Sequence, residues 1–397
     1  MSLAMAIEVK GWCPGILQPM QSGDGLIVRV RPRGGAFALT DARALADLAA
    51  RLGNGHVDLT RRANLQLRGL SERALPELQQ ALGRLGLVDA DAEVEAVRNV
   101  MVAPLARTMR PVAEAIERTL VEDRRLRSLP AKFGVLVDEG GPLSIAGERA
   151  DVALLLVGGM VAVGIDAPEG TRWLGMCHLG AAAAVAVTAM QAFLARAPAR
   201  RMRDLPAHDH AAVAAALAPK LSPLEAFGTN GRRRLGLLDG AVGIAAPFGR
   251  LEAAQLRRLA DLASEAGAKE LRLSPWRSVY IETPSAALLR GAHDAGLIVD
   301  ESDPILRIEA CPGAPDCRSA SVDTRRDARR LAAHGFAGSL HVSGCAKGCA
   351  RTAPSDLVLV GEGGRYGVIR NGTTRGPLER VVEAADIVSV LPEAAHG

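Results

Sequence analysis

Apolar and polar positions follow one order twice along this chain. Over residues 26–30 they alternate, with Leu26, Val28 and Val30 on one side and Arg29 and Arg31 on the other, the two-residue period of a half-buried strand. Leu45, Leu48 and Leu52 then recur at helical spacing, and Thr40 is suited to cap a helix over 41–52, which Gly53-Asn54-Gly55 ends. Strand patterns return at 56–59 and 65–70, and a helical one at 75–85. The predicted succession of strand, helix, strand, strand, helix fits a small α/β sandwich.

The succession reappears at 237–296. Residues 44–50 (ALADLAA) match 258–264 (RLADLAS) at an offset of 214, which also carries Leu65-Gln66-Leu67 onto Val279-Tyr280-Ile281. The stretches beyond each copy match as well. Residues 151–165 and 356–369 both read as β-hairpins about glycine turns, followed by predicted helices at 179–196 and 378–391. The chain therefore divides into halves of roughly 1–200 and 225–397 joined by a proline-containing connector, and is expected to be a pseudo-symmetric monomer with a cleft on its axis. In this alignment the loop carrying Lys132 falls where Cys345–Cys349 falls in the second half.

Composition narrows the partners. A chain of 397 residues suggests several domains. A net charge of +4, with three Trp, two Tyr and six Phe, argues against a nucleic-acid partner. Residues 1–10 lack the basic-then-apolar order of a signal peptide. The apolar run 153–165 is too short to span a bilayer, and 179–194 carries Thr188 and Gln191, so no membrane segment is expected and the cytoplasm is the default compartment.

Four of six cysteines stand as Cys311/Cys317 and Cys345/Cys349, a C-x5-C and a C-x3-C pair in Gly/Pro-rich sequence. Four thiolates suit zinc or an iron–sulfur cube. The first pair is wider than usual zinc spacing, which favours a [4Fe–4S] cluster, and nothing marks the chain as secreted and disulfide-bonded. Cys13 and Cys177 read as ordinary thiols. Thr60-Arg61-Arg62-Ala63-Asn64-Leu65-Gln66 puts adjacent guanidiniums at the start of a strand. With Arg29, Arg31, Arg33 and Arg68 they outline either a solvated surface or a basic sheet face for a polyanion. No nucleotide-binding glycine motif is present, so electrons for any redox chemistry would come from another protein through the cluster.

These residues carry a resemblance. The chain resembles the sirohaem-dependent sulfite and nitrite reductase superfamily: Thr60, Arg62 and Gln66 match its Thr-x-Arg-x-x-x-Gln motif, Arg98 its Arg-Asn-Val motif, and Lys132-Phe133 its Lys-Phe-Lys motif, with Gly134 in place of the second lysine. Within it, Cys13-Pro14-Gly15, Gly53–Thr60, Asn64–Gly69, Leu129–Gly134, Cys311–Pro315 and Val342–Cys349 are most similar to the precorrin-3B synthase family. The resemblance implies an α/β (α+β) fold of two pseudo-symmetric halves. These are a ferredoxin-like half-domain at 11–90, an α/β domain without a cluster at 91–200, a connector at 201–224, a second half-domain at 225–302 and a cluster-binding α/β domain at 303–397.

It further implies that Cys311, Cys317, Cys345 and Cys349 bind a [4Fe–4S] cluster, with Cys349 bridging to sirohaem iron in the relatives that hold sirohaem. Arg62, Arg98 and Lys132 would be catalytic, and Arg29, Arg31, Arg61, Arg62, Gln66 and Arg68 would bind the tetrapyrrole. The implied reaction is oxygen-dependent monooxygenation of precorrin-3A in cobalamin biosynthesis. Reducing equivalents (NADH) would arrive through an external ferredoxin or flavoprotein reductase. The family is also associated with a mononuclear non-haem iron, for which no 2-His-1-carboxylate spacing appears. The alternative is a sirohaem-dependent sulfite or nitrite reductase, against which Gly134 argues by removing a cation from an oxyanion site.

Overall fold

The structure, a computed structural model, describes residues 13–89, 91–196 and 200–391. The stretch 1–10, where no signal peptide is expected, lies outside them. The chain forms two compact units: one built on Ile27–Val299 with the residues leading up to Met20, the other on Gln21–Leu26 and the chain from Asp300 onward.

The larger unit contains both copies of the repeat. Its first sheet orders residues 27–30 of the strand Gly25–Val30, then Leu65–Leu70, His56–Leu59 and Arg250–Glu252, and its second orders Gly236–Leu238, Ala241–Ala245, Ser278–Ile281, Glu270–Leu273 and Ala36–Ala38. Each copy lends an edge strand to the other's sheet. Ala36–Ala38 pairs antiparallel with Glu270–Leu273, and Arg250–Glu252 pairs antiparallel with His56–Leu59. The exchange covers two sheet edges that would otherwise expose unpaired N–H and C=O groups. Helices Leu39–Leu52 and Ala253–Glu265 pack on one another. Compactness therefore binds the copies into one unit rather than separating the halves.

The offset of 214 holds down to single torsions. Gly34 (φ 59°) corresponds to Phe248 (φ 56°), and Ala63 (φ 51°) to Arg277 (φ 57°). Non-glycine residues in the left-handed region cost roughly 1–2 kcal/mol. Its adoption by Phe248 and Arg277 shows that the fold, not the residue, sets these turns.

Two further sheets share one plan, one in each unit. In the larger unit Val100–Val102, Val135–Asp138 and Val152–Val157 are parallel, continued antiparallel by Met160–Ala167 and Gly170–His178. In the smaller, Ile308–Ala310, Leu340–Ser343 and Ser355–Glu362 are parallel, continued antiparallel by Arg365–Gly372 and Arg380–Glu383. The first crossover carries a helix in each, Arg110–Glu122 and Thr324–Ala332.

Several expectations need correction. Thr40 lies inside its helix, whose N-cap is Ala38 without a side-chain bond. The expected helix at 378–391 is the strand Arg380–Glu383 followed by a 3-10 run, Ala384–Val390, because the open edge of Arg365–Gly372 recruits it. The connector contains a helix, Ala207–Leu217. Lys132 precedes the strand Val135–Asp138, whereas Cys345 follows the equivalent Leu340–Ser343. The first-half counterpart of the Cys345 loop is therefore the turn after Asp138. No helix among the described residues is long and apolar enough to cross a membrane.

Candidate functional site

Cys311 and Cys345 follow the neighbouring parallel strands Ile308–Ala310 and Leu340–Ser343, so both cysteine loops leave the same end of one sheet. Cys311 is buried, Cys317 and Cys345 are half-buried, and Cys349 is exposed. The Gly344 N–H donates to Cys311 Sγ at 3.2 Å. A Cβ on Gly344 would lie 2.5 Å from that of Ala320, so only glycine allows this approach. Thr324 donates its hydroxyl to the Cys311 carbonyl at 2.6 Å, and Ser343 donates to that of Cys345 at 2.7 Å. Thr374 donates to the Ala346 carbonyl at 3.0 Å, holding the second loop from outside.

Cys349 lies within electrostatic reach of the other three thiols. Although Cys349 is exposed as a residue, desolvation of its sulfur pushes its thiol up from the ordinary value. Lys347 opposes this, and the charges of Cys311, Cys345 and Cys317 add to it. Backbone N–H donation to sulfur and four soft thiolates on adjacent loops fit an iron–sulfur cube. Among the described residues no three His, Cys, Asp or Glu side chains come together tightly enough to hold a single ion. A cube takes one thiolate per iron and needs them spread more widely.

In the larger unit, strand parity places Arg29, Arg31, Gln66 and Arg68 on the face opposite the buried Val28, Val30, Leu65 and Leu67. Their surroundings differ. Arg31 is 3% exposed, donates to the Pro14 carbonyl at 3.4 Å and stands 3.6 Å from Glu95. Burial, then Arg29, pushes its pKa down to about 10, with Glu95 opposing. Its Nε and Nη1, and Arg29 Nε, have no hydrogen-bond partner among the described residues. Arg68 is buried 3.9 Å from Asp58, which Arg250 also engages at 2.7 Å. Gln66 pairs across the strands with Asp58. Arg61 is exposed, and its charge opposes the upward push of burial on Glu148.

Arg62 is the least committed of these cations. Its side chain makes no ion pair with a carboxylate among the described residues. Burial lowers its pKa, Arg201 and Arg29 lower it further, and Cys13 and Asp151 oppose. Thr60 builds the turn beneath it, its hydroxyl accepting from the Arg62 and Asn64 N–H groups at 3.3 and 3.1 Å. Lys132 is exposed, while Phe133 is buried with its ring centroid 4.8 Å from that of Phe193.

Arg98 does not offer itself to a ligand, contrary to expectation. It is 2% exposed, with Nε on both oxygens of Asp89 at 2.9 and 3.0 Å, Nη1 on Glu117 at 3.3 Å and Nη2 on the Arg31 carbonyl at 2.9 Å. It braces the strand that carries Arg31. Sequence reasoning missed Arg201, whose Nε bonds both oxygens of the fully buried Asp151 at 3.0 Å, and it missed that Cys13 stands near Arg31 and Arg62. Arg201 lies in no motif and Cys13 only in the Cys13-Pro14-Gly15 stretch that carries the resemblance, so periodicity carried no signal for either. Cys177 is buried, and desolvation pushes its thiol up, as for an ordinary core cysteine.

Comparison with known proteins bears on both sites. The family described as nitrite/sulfite reductase ferredoxin-like half domain matches residues 18–85 and 239–291, the two copies of the repeat. A precorrin-3B synthase from Sinorhizobium sp is 33% identical, over 92% of this chain and 84% of its own length. The chain belongs to the precorrin-3B synthase family. More distant is a ferredoxin–nitrite reductase from Synechococcus elongatus, 25% identical over 88% of this chain and 78% of its own. The solved structure of the Mycobacterium tuberculosis NirA protein shares the fold, with a TM-score of 0.71 and 20% identity over 92% of this chain and 79% of that one. The precorrin-3B synthase family is thus placed, by fold and sequence, among oxidoreductases of the nitrite and sulfite reductase type.

Proposed function

We propose that this chain is an oxygen-dependent precorrin-3B synthase, which hydroxylates precorrin-3A at C20 with closure of a γ-lactone in aerobic cobalamin synthesis. The observation that carries the reading is similarity to a precorrin-3B synthase along nearly the whole chain. The donor set supports it. Cys311, Cys317, Cys345 and Cys349 would hold a [4Fe–4S] cluster, which when bound supplies single electrons at a potential set by hydrogen bonds and burial. Cys349, exposed as a residue, would be the one to meet a neighbouring group. A ferredoxin, named as donor in the nitrite reductase relative, or a flavoprotein would deliver the electrons.

The chain's cations supply the rest. The substrate is a polycarboxylate, and Arg29 and Arg62 carry N–H groups not spent on protein carboxylates, suited to charge-assisted hydrogen bonds. Arg31 and Arg98 fix the strand beneath them. Lys132, exposed just ahead of the strand Val135–Asp138, is proposed to move protons.

Anaerobic incubation with precorrin-3A and reductant, followed by O2, should give a product heavier by one oxygen atom. Sulfite reduction by protein that carries a chlorin-type absorption band would overturn the reading in favour of a sirohaem reductase. Arg62→Ala should weaken precorrin-3A binding by about tenfold to a hundredfold while iron and acid-labile sulfide stay at wild-type content. Unchanged binding would return Arg62 to the protein surface.

A further inference from the structure

Gly134 begins the strand region at Val135–Asp138 and is buried. Its φ lies outside the left-handed region, so the backbone does not require glycine there. A Cβ built on it would have two near neighbours, Arg62 Nη1 at 3.4 Å and the Asn99 carbonyl oxygen at 3.5 Å. The missing side chain therefore points at the Arg62 guanidinium.

The main chain cannot retreat to make room. The Gly134 N–H donates to Asp151 Oδ2 at 2.8 Å, and its carbonyl accepts from the Asp151 and Val152 N–H groups at 2.8 and 3.3 Å. Asp151 is itself fully buried and clamped, taking both Arg201 Nε and the Met202 N–H, the latter at 2.7 Å. A buried carboxylate so bonded is expensive to move. The Asn99 carbonyl accepts from the Val135 N–H at 2.9 Å and closes the other side. Of the neighbours of this position, Arg62 is the one free to yield.

We infer that Gly134 is a specificity-determining position: the Arg62 guanidinium lies where a side chain longer than alanine would extend from it, and the Asp151–Arg201 pair positions the peptide that keeps that space open. A side chain longer than alanine takes the space and displaces the guanidinium. The space then favours a ligand that brings its own carboxylate to Arg62 over one that needs a protein cation at position 134. The inference rests on the proposed function in taking that carboxylate to belong to a tetrapyrrole.

The test uses Gly134→Ala, Gly134→Met, Arg62→Ala and the double variant Arg62→Ala/Gly134→Met in the full chain, checked for wild-type circular dichroism. Methionine adds length without adding charge. The binding probe is uroporphyrin, a stable octacarboxylate tetrapyrrole, followed by equilibrium dialysis. Gly134→Ala, whose Cβ would meet Arg62 Nη1 at ordinary contact distance, should bind as the wild type does, and Gly134→Met as weakly as Arg62→Ala, about tenfold to a hundredfold down. The double variant should lose nothing more, because both changes remove one guanidinium. Wild-type affinity in Gly134→Met, or losses that multiply in the double variant, would overturn the inference.

A second readout needs no ligand. Arginine-selective labelling with phenylglyoxal, mapped by mass spectrometry, should modify Arg62 faster in Gly134→Met than in the wild type, and equal rates would also overturn the inference. If labelling responds but wild-type protein binds no uroporphyrin, the Gly134–Arg62 coupling stands and the tetrapyrrole reading of the site fails.

Discussion

Replacing Cys345 by Ser should leave the protein unable to hold the proposed iron–sulfur cluster and reduce the proposed oxidation of precorrin-3A to background. A hydroxyl is a poor ligand for soft iron–sulfur chemistry. The Cys345 loop has little slack to recruit another donor. Ser343 fixes the Cys345 carbonyl, Thr374 fixes that of Ala346, and Gly348 turns through φ 64° with its Cβ direction only 2.7 Å from the Thr374 hydroxyl. The sheet beneath does not depend on the cysteine. Tyr366 donates to Asp327 at 2.9 Å, and both are fully buried among Leu340, Val342, Leu357 and Leu359. Circular dichroism should therefore stay near wild type while iron and acid-labile sulfide fall away. Full cluster content in Cys345→Ser would remove Cys345 from the ligand set.

Arg98→Ala should destabilise the fold by about 3–5 kcal/mol, the usual cost of removing one partner of a buried ion pair. It would leave Asp89 and Glu117 buried, with Arg33, 3.0 Å from Asp89, as the remaining cation. Burial already pushes the Glu117 carboxyl up, against Arg98, the Gly34 N–H and Arg33. Without Arg98 it should rise further. A carboxyl whose folded pKa lies above its unfolded value binds more protons in the native state, so stability falls as pH rises between the two values. The deficit of Arg98→Ala should thus be smaller in mild acid than above neutrality, measured by urea unfolding at several pH values. Variant protein that is folded in the cold should still bind tetrapyrrole. Loss of binding by a well-folded variant would restore Arg98 to the ligand site.

The two copies of the repeat show which positions serve the fold. At the offset of 214, Val28, Val30, Leu65 and Leu67 become Val242, Ile244, Val279 and Ile281, all buried. Over the same registers Arg29, Arg31, Arg62, Gln66 and Arg68 become Gly243, Ala245, Trp276, Tyr280 and Glu282. The core face is kept and the opposite face is not. The second copy folds without those arginines, so folding does not demand them in the first.

Much of this was legible in the residues alone. Periods of two and of three to four report which face of a strand or helix meets the core, because burial acts on each position locally. They placed the repeat, the strands at 56–59 and 65–70, and the arginines opposite the apolar face. The cysteine spacing pointed to a four-thiol centre in the smaller unit, since four thiols in glycine-rich loops have few uses. Tertiary structure decided what depends on partners distant in the chain. It exchanged Ala36–Ala38 and Arg250–Glu252 between sheets, turned the expected helix at 378–391 into the strand Arg380–Glu383 and a 3-10 run, and spent Arg98 on Asp89 and Glu117. It also set Arg62 Nη1 3.4 Å from where a Cβ on Gly134 would lie, with the Gly134 peptide held by Asp151 and, through it, Arg201. A charged side chain's role is set by whichever opposite charge the fold brings within reach, and no local pattern encodes that distance.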